Sequence, residues 1–212
     1  MVITIFGASG RVGSRLVSIA LAKGHEVRAF GRNVEPLIDE EFRNKRLHVI
    51  RGYVFNEHDV YNALKGSDAV LSALGGDTSG TDKTRSLGMK NIVQQMEKAG
   101  VKRIVAVGGL GILDAGDGKM MLDAEDYPKE YLAVGREHLE AYNHLLHSNL
   151  DWTIVGAPDI IDGDEDGSFL TNADYAPEEN TYRIKAGNLA LFMVAELEKN
   201  EYSKKRVGIS EL

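Results

Sequence analysis

Three glycines near the start of the chain have the spacing of a diphosphate-binding loop. The apolar run Val2–Phe6 leads into Gly7-Ala8-Ser9-Gly10-Arg11-Val12-Gly13, and an amphipathic segment follows over residues 16–22. A strand, a tight turn and a helix in this order present unpaired backbone N–H groups and the positive end of a helix dipole, which attract an anion. We expect Gly7 to make the turn, Gly10 to admit a pyrophosphate and Gly13 to pack the helix against the strand. The pattern predicts a bound dinucleotide.

The end of the second predicted strand indicates which dinucleotide binds. Enzymes that use NAD(H) commonly place Asp or Glu there, where the carboxylate binds the adenosine ribose hydroxyls. This chain instead continues from Phe30 into Gly31-Arg32-Asn33, with no acid at the strand end. Arg32, helped by Arg11 from the glycine loop, can form a charge-assisted pair with a 2′-phosphate. The residues favour NADP(H) over NAD(H); in the alternative interpretation Arg32 is a solvated charge or stacks on adenine.

The composition limits the class of partner. The chain has 212 residues and a net charge of −7, which argues against nucleic acid or an anionic membrane surface as a partner and leaves a small-molecule substrate open. Cys is absent, so a disulfide framework and a cysteine nucleophile are excluded. No apolar run approaches the roughly 20 residues that span a bilayer. We expect a cytoplasmic protein, and the sequence leaves its oligomeric state open.

Strands and helices must alternate along the chain to position these residues. The predicted strands after the first cover residues 26–30, 47–50, 69–72, 103–107, 152–155 and 206–209, and the predicted helices after the first cover residues 34–42, 57–64, 88–99, 131–147 and 189–198. Such alternation is typical of an α/β protein with right-handed crossovers. We predict a Rossmann-type, doubly wound, mainly parallel sheet with helices on both faces, in a single domain over residues 1–212.

Two connections are long, at residues 108–129 and 156–186. Both follow the carboxyl ends of predicted strands, where open α/β sheets bind ligands, so we expect them to form the substrate side. The alternative is an ordinary surface excursion. Residues 156–180 hold eight acids and no Lys or Arg, a charge pattern that repels polyanionic substrates. Within them, residues 162–167 match the first half of an EF-hand, but Ala173 replaces the closing Glu, so we predict no metal site.

Several segments resemble the atypical short-chain dehydrogenase/reductase superfamily. They are the glycine loop, Arg32-Asn33, Asp68-Ala69-Val70-Leu71-Ser72-Ala73-Leu74-Gly75, Val101-Lys102-Arg103-Ile104-Val105 and Leu150-Asp151-Trp152-Thr153-Ile154-Val155 with Pro158. The chain is most similar to an NAD(P)H-binding group that includes biliverdin-IXβ reductase, or flavin reductase, and the NmrA-like proteins. The similarity extends over nearly the whole chain, and its motifs define the fold better than the substrate.

The resemblance implies a set of cofactor contacts. It assigns the diphosphate to Gly7, Ser9, Gly10, Arg11, Val12 and Gly13, the 2′-phosphate to Arg32, the adenine to Tyr53 and Val54, the ribose to Ala73, Leu74 and Gly75, and the nicotinamide side to Gly108 and Gly109. Tyr53 departs from the pattern, because many relatives carry Asp there to bind the adenine amino group. We therefore expect stacking on the adenine, and we interpret residues 75–80 as a wall of the cofactor site and a turn.

The catalytic residues of the wider superfamily are missing. Its dehydrogenases activate a substrate hydroxyl with a Ser and a Tyr-x-x-x-Lys pair. This chain has Gly108-Gly109 at the Ser position, and Tyr131 is followed four residues later by Gly135. Shifting the alignment by one helical turn places Val134 at the Tyr position and His138 at the Lys position, so the pair is absent there too. The only candidates for a positioned acid are Tyr131 and Asp159, with an ordinary helix-start aromatic and a loop carboxylate as the alternative interpretations.

A reaction that needs little acid–base help is compatible with these losses. Flavin and linear-tetrapyrrole reduction require mainly that the acceptor stack on the nicotinamide, and solvent can supply the proton. The biliverdin/flavin reductase group likewise lacks the Ser and the Tyr-Lys pair. We expect an NAD(P)H-dependent oxidoreductase that passes hydride to a planar acceptor such as flavin or quinone. The alternatives are an NmrA-like redox-sensing regulator that binds NAD(P) without turnover, and an NAD-dependent epimerase or dehydratase.

Overall fold

A computed structural model describes residues 1–77 and 79–212, with the side chain of Phe42 left out; Thr78, which belongs to the predicted cofactor wall at residues 75–80, lies outside the described residues. The first half contains, in order, β1 (Val2–Phe6), α1 (Arg11–Ala22), β2 (Glu26–Gly31), α2 (Glu35–Arg43), β3 (Leu47–Arg51), α3 (Glu57–Leu64), β4 (Ala69–Ser72), α4 (Thr84–Ala99) and β5 (Arg103–Gly109). The second half contains β6 (Asp114–Gly116), β7 (Lys119–Met120), α5 (Leu132–Leu146), β8 (Asp151–Ala157), β9 (Asp159–Ile161), β10 (Phe169–Ala173), β11 (Arg183–Lys185), α6 (Ala186–Lys199) and β12 (Lys205–Glu211).

The central sheet has eight strands in the order β10-β12-β8-β5-β4-β1-β2-β3. Strand β10 runs antiparallel to β12, and the other neighbouring pairs are parallel. From β1 the chain proceeds to β2 and β3 on one side, and from β4 it proceeds to β5 and β8 on the other. The strand order therefore reverses between β1 and β4, and such a reversal opens a crevice at the carboxyl ends of the strands. This confirms the predicted Rossmann-type α/β fold.

Both faces of the sheet are covered by helices. Apolar residues of α1, α2 and α6 form one core layer, in which Leu16, Leu37 and Leu189 are buried. Residues of α3, α4 and α5 form the other layer, in which Val60 and Ile92 are buried. Strands between two helical layers lose contact with water on both sides, which explains their nearly continuous apolar sequence. Within the described residues no helix is long and apolar enough to cross a bilayer.

The bounds of most elements lie within a few residues of the predicted ones, and the structure adds several short strands. Helix α4 begins at Thr84, one turn before the predicted start, after Lys83 adopts a left-handed conformation with φ of 54°. The predicted loop at 108–129 contains the small β6–β7 hairpin, and the one at 156–186 contains β9, β10 and β11. These strands pair with distant segments: β9 with β11, and β10 with β12. The sequence pattern missed them because their pairing is non-local.

Backbone contacts at the end of β1 fix the start of α1. Gly7 has φ of +74°, and a Cβ added there would lie 2.5 Å from the carbonyl oxygen of Ala73, the first residue after β4. A Cβ on Gly13 would lie 2.0 Å from the carbonyl oxygen of Gly7. The helix therefore sits against the turn at a distance that only glycine allows.

An alanine at position 13 tests this contact. We expect Gly13→Ala to lower the free energy of unfolding by about 1–3 kcal/mol, because backbone atoms must move to make room. The matched control is Gly75→Ala, where an added Cβ meets nothing within 4 Å. That control should change stability by no more than about 0.5 kcal/mol. Urea unfolding of both variants measures the difference, and equal losses would contradict the packing role of Gly13.

Candidate functional site

A cavity of about 690 Å³ lies at the carboxyl ends of the strands, around the reversal between β1 and β4. This volume falls within the range of small-molecule sites. The residues lining it include Gly7, Ser9, Gly10, Arg11, Val12, Arg32, Tyr53, Val54, Ala73, Leu74, Gly75, Gly108 and Gly109. The structure thus brings together every candidate cofactor residue except Gly13, which packs against the carbonyl of Gly7.

The glycine loop offers an anion free backbone donors. The N–H of Gly10 donates to the carbonyl oxygen of Gly7 at 3.0 Å, which closes the turn. Gly10 then caps α1 without a side-chain hydrogen bond, and the first turn of the helix contains no acid. The N–H groups of this turn and the positive end of the helix dipole are available to a diphosphate. Because Gly10 has no Cβ, space remains at the N-terminus of α1, and this space fits the phosphates of a dinucleotide.

Two arginines of α1 contact the segment that follows β8. Arg11 donates from Nη1 to the carbonyl oxygen of Ile160 at 2.5 Å. Arg15 forms an ion pair with Asp162 at 2.9 Å and lies 3.6 Å from Asp164. Helix α1 and the acidic segment at residues 162–164 are therefore joined on one side of the cavity. Arg11, assigned by resemblance to the diphosphate, already has one protein partner.

The opposite end of the cavity is open. Arg32 and Tyr53 both line the cavity; Arg32 is exposed, and Tyr53 is 61% exposed. The N–H of Tyr53 donates to Asp59 at 3.0 Å, and the carbonyl of Val54 accepts from the side-chain amide of Asn91 at 2.7 Å. These bonds fix the backbone after β3 while the Tyr53 ring stays in solvent. This end can accept an adenine and its ribose.

The cavity continues past Ala73, Leu74 and Gly75 to Gly108 and Gly109, the last residues of β5. Ala157, Pro158 and Ile160 form the wall beyond β8. Neither Tyr131 nor Asp159 is among the described residues that line the cavity. Tyr131 ends a short 3₁₀ helix before α5 and is 41% exposed.

His138 lines the cavity at the same end, from the inner face of α5. A Cβ on Gly109 would lie 2.7 Å from Cδ2 and 3.3 Å from Nε2 of this imidazole. The pKa of His138 is lowered to about 3; burial is the main cause, the positive charge on Arg85 adds to the lowering, and Glu137 opposes it. The ring is therefore neutral over the whole physiological range. The sequence motifs place His138 only at a position where the superfamily carries Lys, so they do not indicate that this residue lines the site.

Arg85 lines the cavity from the first turn of α4. Its guanidinium donates to the carbonyl oxygens of Asp77 and Gly76, at 2.9 and 3.1 Å. Burial lowers the pKa of Arg85, and the nearby carboxylates of Asp82, Glu137 and Asp77 act to raise it. Arg85 remains a cation, since an arginine pKa starts far above neutral.

Two carboxylates beside Arg85 are held ionised. Burial acts to raise the pKa of Asp82, but hydrogen bonds from the backbone N–H groups of Thr84 and Asp77 outweigh it and lower the pKa. The buried Glu137 accepts from Lys83 at 2.7 Å and from the Ser86 hydroxyl at 2.5 Å, and these partners lower its pKa against the effect of burial. Glu137, the residue before His138, thereby joins α5 to the start of α4. No periodic pattern along the chain indicates that Lys83, Arg85 and Glu137 lie together.

Three of the four acids at residues 162–166 have cationic partners. Asp162 and Asp164 face Arg15, and Asp166 accepts from Lys185 at 2.6 Å and from the Asn188 amide at 2.9 Å. The hydrogen bond from Lys185 is the main cause of a lowered pKa at Asp166. Within the described part of the chain, no group of three His, Asp or Glu side chains is placed to hold a metal ion.

A doubly wound sheet with a glycine-lined crevice at the strand reversal defines the class of Rossmann-like dinucleotide-binding proteins. The chain belongs to the NAD(P)H-binding family, whose model matches residues 7–200. This confirms the resemblance found in the sequence motifs.

Two solved structures and one further relative are similar to this chain over nearly its whole length. A Bacteroides thetaiotaomicron protein, a proposed epimerase, is 30% identical, with a TM-score of 0.86 over 100% of this chain and 97% of its own. A Streptococcus pneumoniae protein, a proposed NADH-flavin reductase, is 27% identical, with a TM-score of 0.82 over 100% of both chains. The uncharacterized protein YwnB of Bacillus subtilis is 26% identical over 99% of this chain and 98% of its own.

The lowered pKa of His138 has a consequence for stability. Below pH 6.5 the unfolded chain binds a proton that the folded imidazole does not take up. Folding is therefore less favourable as the pH falls, by at most about 1.4 kcal/mol per pH unit. We expect the free energy of unfolding to fall more steeply between pH 6.5 and about 4.5 in the wild type than in His138→Gln.

Urea unfolding at a series of pH values measures both slopes. The matched control is His58→Gln, because His58 is exposed on α3. Its slope should follow that of the wild type. Parallel curves for the wild type and His138→Gln would show that the imidazole titrates normally.

Proposed function

We propose that this protein is an NADPH-dependent reductase that passes hydride to a planar acceptor such as a flavin or a quinone. The reduced nicotinamide supplies the hydride when the cofactor is bound. The glycine loop, with its free N–H donors and no Cβ at Gly7 or Gly10, would hold the diphosphate.

The observation that carries the proposal is the composition of the wall beyond Gly109. The described lining residues contributed by β5, α5 and the segment around β8 are Val107, Gly108, Gly109, His138, Ala157, Pro158 and Ile160, and none is Ser, Tyr or Lys. Small and apolar surfaces of this kind suit a flat ring, and they exclude water from it. They do not suit an alcohol or sugar substrate, whose hydroxyl needs a general base.

This wall supports a reaction controlled by orientation. Stacking a planar acceptor at the correct distance can supply most of the rate enhancement without a proton relay. Solvent can protonate the reduced product after it leaves. The position of Tyr131, which does not line the cavity in the described structure, is consistent with a mechanism that needs no tyrosine acid.

Turnover with a panel of acceptors tests the proposal. We expect the wild-type protein to oxidise NADPH in the presence of riboflavin, FMN or menadione, followed as the loss of reduced-nicotinamide absorbance. A matched control is Gly10→Asp, which places a carboxylate where the diphosphate would bind and should abolish the reaction. Tight NADPH binding without oxidation by any acceptor would instead favour a redox sensor.

The preference for NADPH rests on Arg32. Its side chain is exposed at the cavity rim, at the end of β2 where an NAD(H) enzyme would carry an acid. A guanidinium can bind a 2′-phosphate through two parallel hydrogen bonds. Residue type and placement both support NADP(H) over NAD(H).

Replacing Arg32 by Ala should separate the two cofactors. We expect the Kd for NADPH to rise by about 10-fold or more and the Kd for NADH by less than about 3-fold, because only NADPH carries the phosphate. Calorimetric titration of both nucleotides measures this ratio. The control is Arg43→Ala, at the exposed end of α2 and outside the cavity lining, which should change neither Kd. Equal losses for both nucleotides on changing Arg32 would remove phosphate recognition from its role.

A further inference from the structure

His138 is a polar side chain that the proposed hydride transfer does not use. Its Nδ1 is buried and has no hydrogen-bond partner among the described residues. His138 lines the cavity together with Ala157 and Pro158, at the end where the proposed acceptor would bind. The imidazole therefore faces the space that a planar acceptor would occupy.

The position of the ring depends on Gly109. An added Cβ at this residue would approach three ring atoms: Cδ2 at 2.7 Å, Cγ at 3.2 Å and Nε2 at 3.3 Å. The edge that bears Nε2 is thus turned toward the end of β5. The space that a side chain at the strand end would fill is occupied by the imidazole.

The tautomer of His138 follows from these surroundings. A neutral imidazole carries one N–H, and an unpaired buried N–H is rarer than an unpaired buried acceptor. The buried Nδ1 therefore keeps a lone pair, and the proton is on Nε2, which is not among the buried unpartnered atoms. His138 presents a single hydrogen-bond donor to the cavity.

Arg85 adds further donors on the same side. A guanidinium has five N–H groups, and the described contacts of Arg85 use two of them, one to Asp77 and one to Gly76. Its charge acts on the imidazole, since it contributes to the lowered pKa of His138. The ion pair between the buried Glu137 of α5 and the exposed Lys83, the residue before α4, joins the two helices that carry these side chains.

The charges around the two donors decide what they can bind. Arg85 is accompanied by the carboxylate of Asp82, which also lines the cavity, and Lys83 is paired with Glu137. A phosphate or carboxylate would meet no net positive charge here, whereas a neutral carbonyl oxygen would meet several N–H donors.

We propose that Arg85 and His138 form a hydrogen-bonding subsite for a carbonyl oxygen of a neutral, planar acceptor of the flavin or quinone class. This inference rests on the proposed reductase function and specifies how its acceptor is held. The N–H of His138 and the guanidinium of Arg85 orient the ring against the wall of Ala157 and Pro158. His138 donates a hydrogen bond and moves no proton.

Acceptor binding without turnover tests the subsite. Riboflavin is titrated into protein saturated with oxidised NADP⁺, and binding is followed by quenching of the flavin fluorescence, with menadione as a competitor. We expect His138→Leu and Arg85→Leu each to raise the Kd for riboflavin by about 5- to 10-fold, because each removes a donor. His138→Gln keeps an N–H donor and should stay within about 3-fold of the wild type.

Matched controls separate donor loss from general damage. His144→Leu and Arg136→Leu lie on the same helix as His138 but outside the described cavity lining, and both should bind riboflavin as the wild type does. Gly109→Ala displaces the imidazole without removing it and should weaken riboflavin binding as His138→Leu does. If His138→Leu fails to fold, Gly109→Ala and His138→Gln decide the question.

The outcomes distinguish this subsite from the reductase itself. If the wild type reduces riboflavin or menadione while His138→Leu and Arg85→Leu bind riboflavin normally, the reductase function stands and the subsite is wrong. If the wild type binds neither riboflavin nor menadione, the acceptor class is wrong. A loss of NADP⁺ affinity equal to the loss of riboflavin affinity would make the two residues part of the cofactor site and overturn the subsite.

Discussion

The close approach of α1 to the turn after β1 is the constraint on which the site depends. The carbonyl oxygen of Gly7 accepts from Gly10, and an added Cβ on Gly13 would lie 2.0 Å from it. On the other side, Gly7 lies against the carbonyl of Ala73 at the end of β4. Three backbone segments thus meet with no side chain between them. The free N–H groups of the helix are consequently held at the point where the strand order reverses.

This constraint is local in sequence, which is why the sequence revealed it. The strand, the glycine spacing and the helix lie within the first 22 residues, and each obeys a short-range rule. Similar short-range patterns predicted α3 at residues 57–64 and β4 at residues 69–72 with the bounds that the structure has. Prediction worked wherever a segment had its own periodicity and its own terminal signals.

Segments that depend on distant partners could not be predicted in the same way. Strand β10 exists because it pairs antiparallel with β12 near the end of the chain, and β9 exists because it pairs with β11. The polar side of the cavity has the same origin. Arg85 and His138 come from different helices, and their proximity depends on how α4 packs against α5 through Glu137. Neither residue belongs to a recognisable motif, and no spacing along the chain joins them.

The hydrogen bond from Arg11 to Ile160 links the glycine loop to the wall beyond β8. Any anion that draws the Arg11 guanidinium toward the glycine loop competes with the carbonyl of Ile160. The affinity of the glycine loop for an anion and the order of this wall are therefore coupled, and the coupling must be reciprocal. A ligand that recruits the Arg11 side chain breaks the bond to Ile160, and a contact that holds Ile160 in place leaves Arg11 less free to meet the ligand.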